Sequence, residues 1–213
     1  MKLHPWLEKH PINKDSKYLI IGTHPPMPYC GKLQYFYGNM SEFWRLLDNV
    51  YPNNNLFNNN CPLEKDIIEF INKYSISITD IVYKSHSIKF STDNEMGKLE
   101  YEHLNPFLKD WLEKSNIEVI YFTSFGGTNS AKNLFKKWFK GTFNKNSKIS
   151  NLHFNEIEIF ERKIKLIDLF SPSPTAHRSS PRIKEYQEWK TNNSPNDYDS
   201  FRIHWYKTYL PKI

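Results

Sequence analysis

Four short runs of β-branched and aromatic residues recur along the chain, and each ends in polar or Gly/Pro-rich sequence. They occupy residues 17–22, 76–83, 117–122 and 163–169. Runs of this composition predict buried parallel strands, and the loops at the carboxyl ends of such strands are where α/β proteins build their sites. This pattern constrains the fold more than any other feature of the sequence.

Apolar residues at helical spacing separate these runs. They are Phe43, Leu46, Leu47 and Val50; Ile67, Ile68 and Ile71, in a helix starting near Leu63; Leu104, Phe107, Leu108, Trp111 and Leu112; and Leu134, Phe135 and Trp138. Strands separated by more than about a dozen residues, with helices between them, require crossover connections. The sequence therefore predicts one α/β domain over residues 1–213, a three-layer α/β/α sandwich with a central, mainly parallel sheet of about four strands. We also expect a β-hairpin within residues 151–162.

The composition limits the partners and the compartment. The chain has 29 Lys and Arg against 23 Asp and Glu, a net charge of +6 that is compatible with a polyanionic partner. No apolar run approaches the roughly 18 residues of a membrane helix, and the N-terminus lacks the apolar segment of a signal peptide. Cys30 and Cys61 have no CxxC spacing, so neither a zinc site nor a disulfide framework is expected. We expect a cytoplasmic monomer without a metal or cofactor.

The first loop that breaks the propensity rules is Gly22-Thr23-His24-Pro25-Pro26-Met27-Pro28, directly after the first run. Its three prolines fix φ and remove N–H donors, so the segment is predicted to be a rigid loop at a strand end. An aromatic stretch, Tyr35-Phe36-Tyr37, follows and leads into Phe43-Trp44. From the residues alone, these rings either cover the core or form part of a site.

The second such loop is Ser171-Pro172-Ser173-Pro174-Thr175-Ala176-His177-Arg178, after the last run. Exposed hydroxyls, backbone N–H groups and an arginine are common phosphate contacts, so the loop could clamp phosphates. The alternative is an ordinary Pro-rich turn into a helix in which Ser180 is the N-cap and Pro181 the first helical residue. The P-loop, dinucleotide, HExxH and GxSxG motifs are absent from the sequence.

Together the two loops resemble the motifs of the uracil-DNA glycosylase superfamily, and the match is closest to its hypoxanthine-DNA glycosylase and mismatch-specific branches. The resemblance covers residues 17–190. It rests on Gly22-Thr23-His24-Pro25, on the stretch from Tyr35-Phe36-Tyr37-Gly38 to Phe43-Trp44, and on Ser171-Pro172-Ser173-Pro174. Two weaker matches lie between them, in Ile78-Thr79-Asp80-Ile81-Val82 and in the strand-Gly-helix unit of residues 122–137.

The resemblance implies base flipping and cleavage of the N-glycosidic bond through an oxocarbenium-like sugar. Phe36 or Tyr37 would stack on the flipped base. The resemblance also implies that His177 and Ser124 contact the base. The implied contacts to DNA phosphates are Ser171, Ser173, Thr175, Arg178 and Lys84.

The catalytic position departs from the family pattern. Several branches place the water-activating Asp or Asn two residues after the Gly, where this chain has His24, and others place an Asn three residues before the Trp, where it has Ser41. Asn39 lies close enough along the chain to substitute, so we expect catalysis to depend on Asn39 and His24.

The expected function is that of a monofunctional DNA glycosylase, associated with the nucleoid, that excises deaminated bases of the uracil or hypoxanthine class. A bifunctional lyase needs an amine nucleophile, and the candidate loops offer no clearly buried lysine. The alternatives are a non-catalytic nucleic-acid-binding protein of the same fold and an enzyme acting on nucleosides or nucleotides.

Overall fold

The computed structural model describes residues 2–29, 31–38, 42–54, 56, 62–87, 89, 92–140 and 154–212. The strands are β1 (Lys2–Leu3), β2 (Tyr18–Gly22), β3 (Ile76–Asp80), β4 (Lys84–Ser85), β5 (Val119–Phe122), β6 (Phe154–Ile159) and β7 (Arg162–Asp168). The α-helices are α1 (Phe43–Val50), α2 (Glu64–Lys73), α3 (Leu108–Lys114), α4 (Ala131–Trp138), α5 (Lys184–Lys190) and α6 (Tyr198–Tyr209). Short 3₁₀ helices cover Pro52–Asn54, Asp93–Met96, Tyr101–His103 and Pro174–Arg182.

The main sheet has the strand order β3-β2-β5-β7-β6, and its first four strands run parallel. Gly22 pairs in register with Asp80, and Phe122 pairs with Asp168, so four strands end side by side. The prediction of an α/β fold with a mainly parallel sheet is confirmed.

Helices cover both faces of this sheet. Ile20 of β2 packs in an apolar cluster with residues of α1, α2 and α6, whereas its neighbours Leu19 and Ile21 pack in a second cluster with residues of α3 and α4. This alternation follows from the two-residue period of a strand. Because both faces are buried, the free ends of the strands and their loops are the natural place for exposed chemistry.

The strand count of the sequence prediction is corrected from about four to five. The additional strand, β6, pairs antiparallel with β7 across a tight turn in which Phe160 and Glu161 both have positive φ. The hairpin was expected within residues 151–162, but its second arm is the last predicted strand itself. Residues 151–153 lie outside the described part of the chain.

The C-terminal region differs most from the prediction. Residues 174–182 form a 3₁₀ helix with Pro181 inside it, and α5 begins only at Lys184, so Ser180 is not its N-cap. The long helix α6 was not predicted. Its buried side includes Arg202 among Phe201, Trp205 and Tyr206, and a buried arginine interrupts the apolar pattern that identifies a helix.

The N-terminal segment packs across the end of β3. Strand β1 pairs antiparallel with β4, which brings His4 and Trp6 into buried positions. Among the described residues, no helix combines the length and the apolar composition needed to cross a bilayer.

Candidate functional site

Side-chain atoms of β3 and of the aromatic loop crowd the space above Gly22, the last residue of β2. A Cβ atom on Gly22 would lie 2.2 Å from Asp80 Oδ1 and 2.6 Å from the Tyr37 hydroxyl oxygen, distances that no real side chain tolerates. Gly22 therefore allows a carboxylate and a phenol to meet above the end of the sheet. The sequence analysis identified this glycine and Tyr37 but did not identify Asp80 as a functional group.

The carboxylate of Asp80 is fixed by the N-terminal segment. His4 Nδ1 accepts hydrogen bonds from the backbone N–H groups of Trp6 (3.1 Å) and Leu7 (3.2 Å). The proton of the imidazole is therefore on Nε2, which donates to Asp80 Oδ2 at 2.8 Å. His4 and Asp80 are both buried.

Tyr37 folds the aromatic loop onto the strand ends. Its φ of 56° is unusual for a residue with a side chain, its ring stacks on Phe43 at a centroid distance of 4.1 Å, and its hydroxyl lies 2.8 Å from Thr123 Oγ1. Burial of the hydroxyl and the negative charge of Asp80 raise the pKa of Tyr37 well above its usual value. The phenol therefore keeps its proton and can act as a hydrogen-bond donor.

A second carboxylate, Asp93, comes from the 3₁₀ helix that follows β4. The hydroxyl of Thr23 donates to Asp93 Oδ1 at 2.5 Å, and the hydroxyl of Ser124 donates to Asp93 Oδ2 at 2.7 Å. Asn129 Nδ2 holds the turn by donating to the carbonyl oxygens of Asp93 (3.0 Å) and Gly97 (2.8 Å). Burial, chiefly, and the charge of Asp80 raise the pKa of Asp93, while the two hydroxyl donors act in the opposite direction. The loops after β2 and β5 are thus joined through one carboxylate.

His24, a predicted catalytic residue, lies beside this network but is only 7% exposed. Its Nδ1–H donates to the carbonyl oxygen of Pro25 at 2.8 Å, which makes Nε2 the acceptor nitrogen of the ring. Burial and the neighbouring His4, whose ring centroid lies 4.9 Å away, lower the pKa of His24 to about 4. The imidazole is therefore neutral at neutral pH. Asn39, its predicted partner, lies outside the described residues.

Phe36, one of the two predicted base-stacking rings, is 1% exposed and belongs to the core. Its ring packs near His4 at a centroid distance of 5.6 Å, and its carbonyl oxygen accepts a hydrogen bond from Trp44 Nε1 at 3.0 Å. Stacking of a base on Phe36 would require this part of the loop to open. Tyr37, the alternative ring, is only half-buried.

The predicted phosphate-binding loop begins where β7 ends. Ser171 Oγ accepts from the backbone N–H of Ser173 (3.2 Å), and Ser173 Oγ lies 2.9 Å from Thr175 Oγ1. Thr175 and Arg178 are exposed. Lys84 lies at the other end of the site, in β4, with a half-buried side chain. The hydroxyl groups of Ser171, Ser173 and Thr175 stabilise the turn of this loop, and the side chain of Arg178 faces solvent.

Arg202 of α6 ties this loop to the start of α1. Its guanidinium donates to the carbonyl oxygen of Ser171 (3.0 Å), to Glu42 Oε2 (3.2 Å) and to Asp199 Oδ1. His177, predicted to contact the base, lies 3.1 Å from Asp199 Oδ1 through its Nε2. Glu42, His177 and Asp199 could in principle hold a cation, but the arginine already supplies the positive charge among them. Glu42 also pairs with Arg45, in the first turn of α1.

A buried lysine lies near the strand ends, on a helix and not in one of the candidate loops. Lys132 of α4 is 5% exposed, and its Nζ lies 2.6 Å from Asp168 Oδ2 at the end of β7. The sequence did not identify it because it lies on a helix and not in a loop. Its ion pair with Asp168 engages the amine that a lyase would need as a nucleophile.

A cavity of about 540 Å³, bordered by Tyr51, Lys73 and Lys207, lies away from this network. A second one of about 430 Å³ lies behind the turn of Asp93, between Asn94, Asn129 and helix α4. The candidate site is therefore defined by its side chains, which come from the loops at the strand ends, and not by the volume of a cavity.

Four participants of this site were missed as functional residues. They are His4, Asp80, Asp93 and Thr123. Asp80 could have been found, because it is the charged residue within the predicted strand of residues 76–83, and the structure ends β3 at this position. Asp93 lies in a polar stretch without periodicity, and its partners Thr23 and Ser124 lie 70 and 31 residues away along the chain.

Searches of family models and of curated proteins returned no match to this chain. The family expectation therefore depends on the motifs of the sequence and on the site they form.

Proposed function

We propose that the chain is a monofunctional DNA glycosylase that hydrolyses the N-glycosidic bond of a deaminated base of the uracil or hypoxanthine class. The motifs that resemble the uracil-DNA glycosylase superfamily support this function. Helices on both faces of a mainly parallel sheet agree with the three-layer α/β/α arrangement that the resemblance implies. In this proposal the enzyme acts on DNA of the nucleoid.

One observation carries the proposal: the segments with the family motifs meet at one edge of the sheet. The loop of Thr23 and His24 follows β2, the loop of Ser171 follows β7, and the aromatic loop is fastened to the end of β5 through Tyr37 and Thr123. These segments are far apart in the sequence. Their convergence at the carboxyl ends of parallel strands is the geometry of a ligand site in α/β folds.

The chemistry of this edge suits glycosidic cleavage. An oxocarbenium-like sugar is stabilised by nearby negative charge, which the carboxylate of Asp93 can supply. The leaving base develops negative charge, and the protonated Tyr37 hydroxyl is a suitable donor for it. The described residues thus offer negative charge to the sugar and a hydrogen-bond donor to the leaving base.

The surface beside the site suits a polyanion. Arg178, Arg182 and Lys184 are exposed along and after the 3₁₀ helix that follows β7. Together with the net charge of +6, these cations favour contacts with DNA phosphates on this side of the sheet.

A non-catalytic nucleic-acid-binding protein is the second candidate. The burial of Phe36 and His24 favours it, because in the described conformation neither ring presents an open face to a flipped base. An enzyme acting on free nucleosides is the third candidate, which the same assay can distinguish.

The test is base release from oligonucleotides with a single uracil, hypoxanthine or xanthine, followed by alkaline cleavage of the abasic product. We expect release from DNA but not from the free nucleosides, and a log–log salt slope of about −4 to −5 if about four to six phosphates are neutralised. Salt-sensitive binding without product would select the binding protein. A flat salt response would exclude nucleic acid as the partner.

Borohydride trapping tests the monofunctional part of the proposal. We expect no covalent protein–DNA complex, because the amine of Lys132 is engaged by Asp168. A trapped complex that disappears in Lys132→Met would make the enzyme a bifunctional lyase.

A further inference from the structure

The segment after β2 lacks the carboxylate that its family motif would carry, and a carboxylate from a distant segment lies beside it. We propose that Asp93 is the catalytic residue that activates the attacking water. The inference rests on the proposed glycosylase function. Asp93 lies 70 positions from Thr23 along the chain. It takes the role of the acid that the loop of Thr23 and His24 lacks.

Two hydrogen bonds hold the carboxylate of Asp93 in one orientation. Thr23 and Ser124 each donate one hydrogen bond to a different carboxylate oxygen, so each oxygen keeps a lone pair that can accept a proton. The residue as a whole is half-buried. A general base needs a fixed orientation and a lone pair that can take up the proton of a water molecule.

Two of the other carboxylates at this edge are paired with cations, Asp168 with Lys132 and Glu42 with Arg45 and Arg202. The third, Asp80, is buried and accepts a hydrogen bond from His4. The hydrogen bonds described for the Asp93 carboxylate come from the uncharged hydroxyls of Thr23 and Ser124. A carboxylate held by uncharged groups is a stronger base than one neutralised by a cation.

The surroundings of Asp93 also favour proton uptake. The titratable groups that face it are Asp80 at the end of β3 and the phenol of Tyr37 in the aromatic loop. Burial and the charge of Asp80 raise the pKa of Asp93, which brings it closer to the range in which a base works best near neutral pH.

The proposed step is a hydrolysis at C1′ of the flipped nucleotide. The water oxygen forms a bond to C1′ while one water proton passes to a carboxylate oxygen of Asp93. The electron pair of the breaking C1′–N bond leaves with the base, which then takes a proton from solvent. No oxidant, reductant or co-reactant other than water is required.

The first test is single-turnover base release by Asp93→Asn, which keeps the size of the side chain and one acceptor oxygen but removes the group that can take up a proton. We expect a loss of about 10²- to 10⁴-fold in the rate constant, with DNA affinity nearly unchanged. Asp110→Asn is the matched control, since Asp110 is exposed on α3 and pairs only locally with Lys114. Full activity of Asp93→Asn would overturn the inference, whereas an inactive wild type would overturn the proposed function itself.

The second test separates catalysis from a merely structural contact. The excision rate should rise with pH through the pKa of Asp93, because the base must be ionised. Ser124→Ala and Thr23→Val each remove a hydroxyl that lowers this pKa, so both should move the acid limb of the pH profile to higher pH. A reduced rate with an unmoved acid limb in both variants would assign Asp93 a structural role only.

Discussion

Asp80 and Asp93 bring two carboxylates to the same edge of the sheet, but the molecule holds them in opposite ways. Asp80 is 5% exposed and accepts a hydrogen bond from His4 Nε2–H beneath the N-terminal segment. Asp93 is half-buried and, among the described residues, is held by two hydroxyl groups. The buried pair of Asp80 and His4 fixes the structure around it, whereas a carboxylate held by hydroxyl groups can exchange a proton. The comparison therefore assigns a structural role to Asp80 and a role in proton transfer to Asp93.

The largest effect should follow from breaking the structural pair. His4→Ala leaves the buried carboxylate of Asp80 without its partner and removes the acceptor for two backbone N–H groups. We expect the free energy of unfolding to fall by about 3–5 kcal/mol, measured by denaturant titration.

The control for this variant is His204→Ala, at an exposed position of α6. It should change stability by less than about 0.5 kcal/mol. Equal effects of the two substitutions would contradict the structural role of the pair of His4 and Asp80.

A smaller effect should follow from filling the space above Gly22. Gly22→Ala places a methyl group against Asp80 and Tyr37, so we expect a loss of about 1–3 kcal/mol. At Gly126, no atom lies within 4 Å of an added Cβ, and the φ angle is not in the left-handed region. Gly126→Ala should therefore be neutral or slightly stabilising. If thermal melts show the same loss for both glycines, the close approach at Gly22 does not exist in solution.

The parts of the fold with a regular sequence period could be predicted from the sequence. The strand from Tyr18 to Gly22 shows its apolar run and its terminal glycine directly, and the apolar spacing in α1 identifies that helix. The helix α6 could not be identified in the same way, because Arg202 lies on its buried side, where it pairs with Glu42 and Asp199 and donates to the carbonyl oxygen of Ser171.

The candidate site was predicted in its location but not in its chemistry. Loops at strand ends identify an edge of the sheet, and Thr23, His24 and Ser124 do lie there. The partner that connects two of these loops, Asp93, depends on long-range contacts that no local pattern encodes. The same limit applies to Phe36, whose ring packs near that of His4, a residue distant in the sequence, as well as against its neighbour Tyr35.

The charge of Asp80 and the hydroxyl of Ser124 act on the pKa of Asp93 in opposite directions, so removing each should shift the pH profile of excision in opposite directions. Asp80→Asn removes a negative charge that raises the pKa of Asp93, so the acid limb of the excision profile should move to lower pH. Ser124→Ala should move it to higher pH. Shifts in the same direction for the two variants, measured under single-turnover conditions, would show that the titrating group is not Asp93.

The division of roles between the two carboxylates is tested most directly by measuring stability and excision together in Asp80→Asn and Asp93→Asn. Asp80→Asn should lower the unfolding free energy more than Asp93→Asn does, yet retain excision within about tenfold at a temperature where it is folded, because its effect is on structure. Asp93→Asn should keep the stability of the wild type and lose about 10²-fold or more in excision. The reverse result, an active Asp93→Asn and a folded but inactive Asp80→Asn, would contradict the account and assign the chemistry to the buried acid.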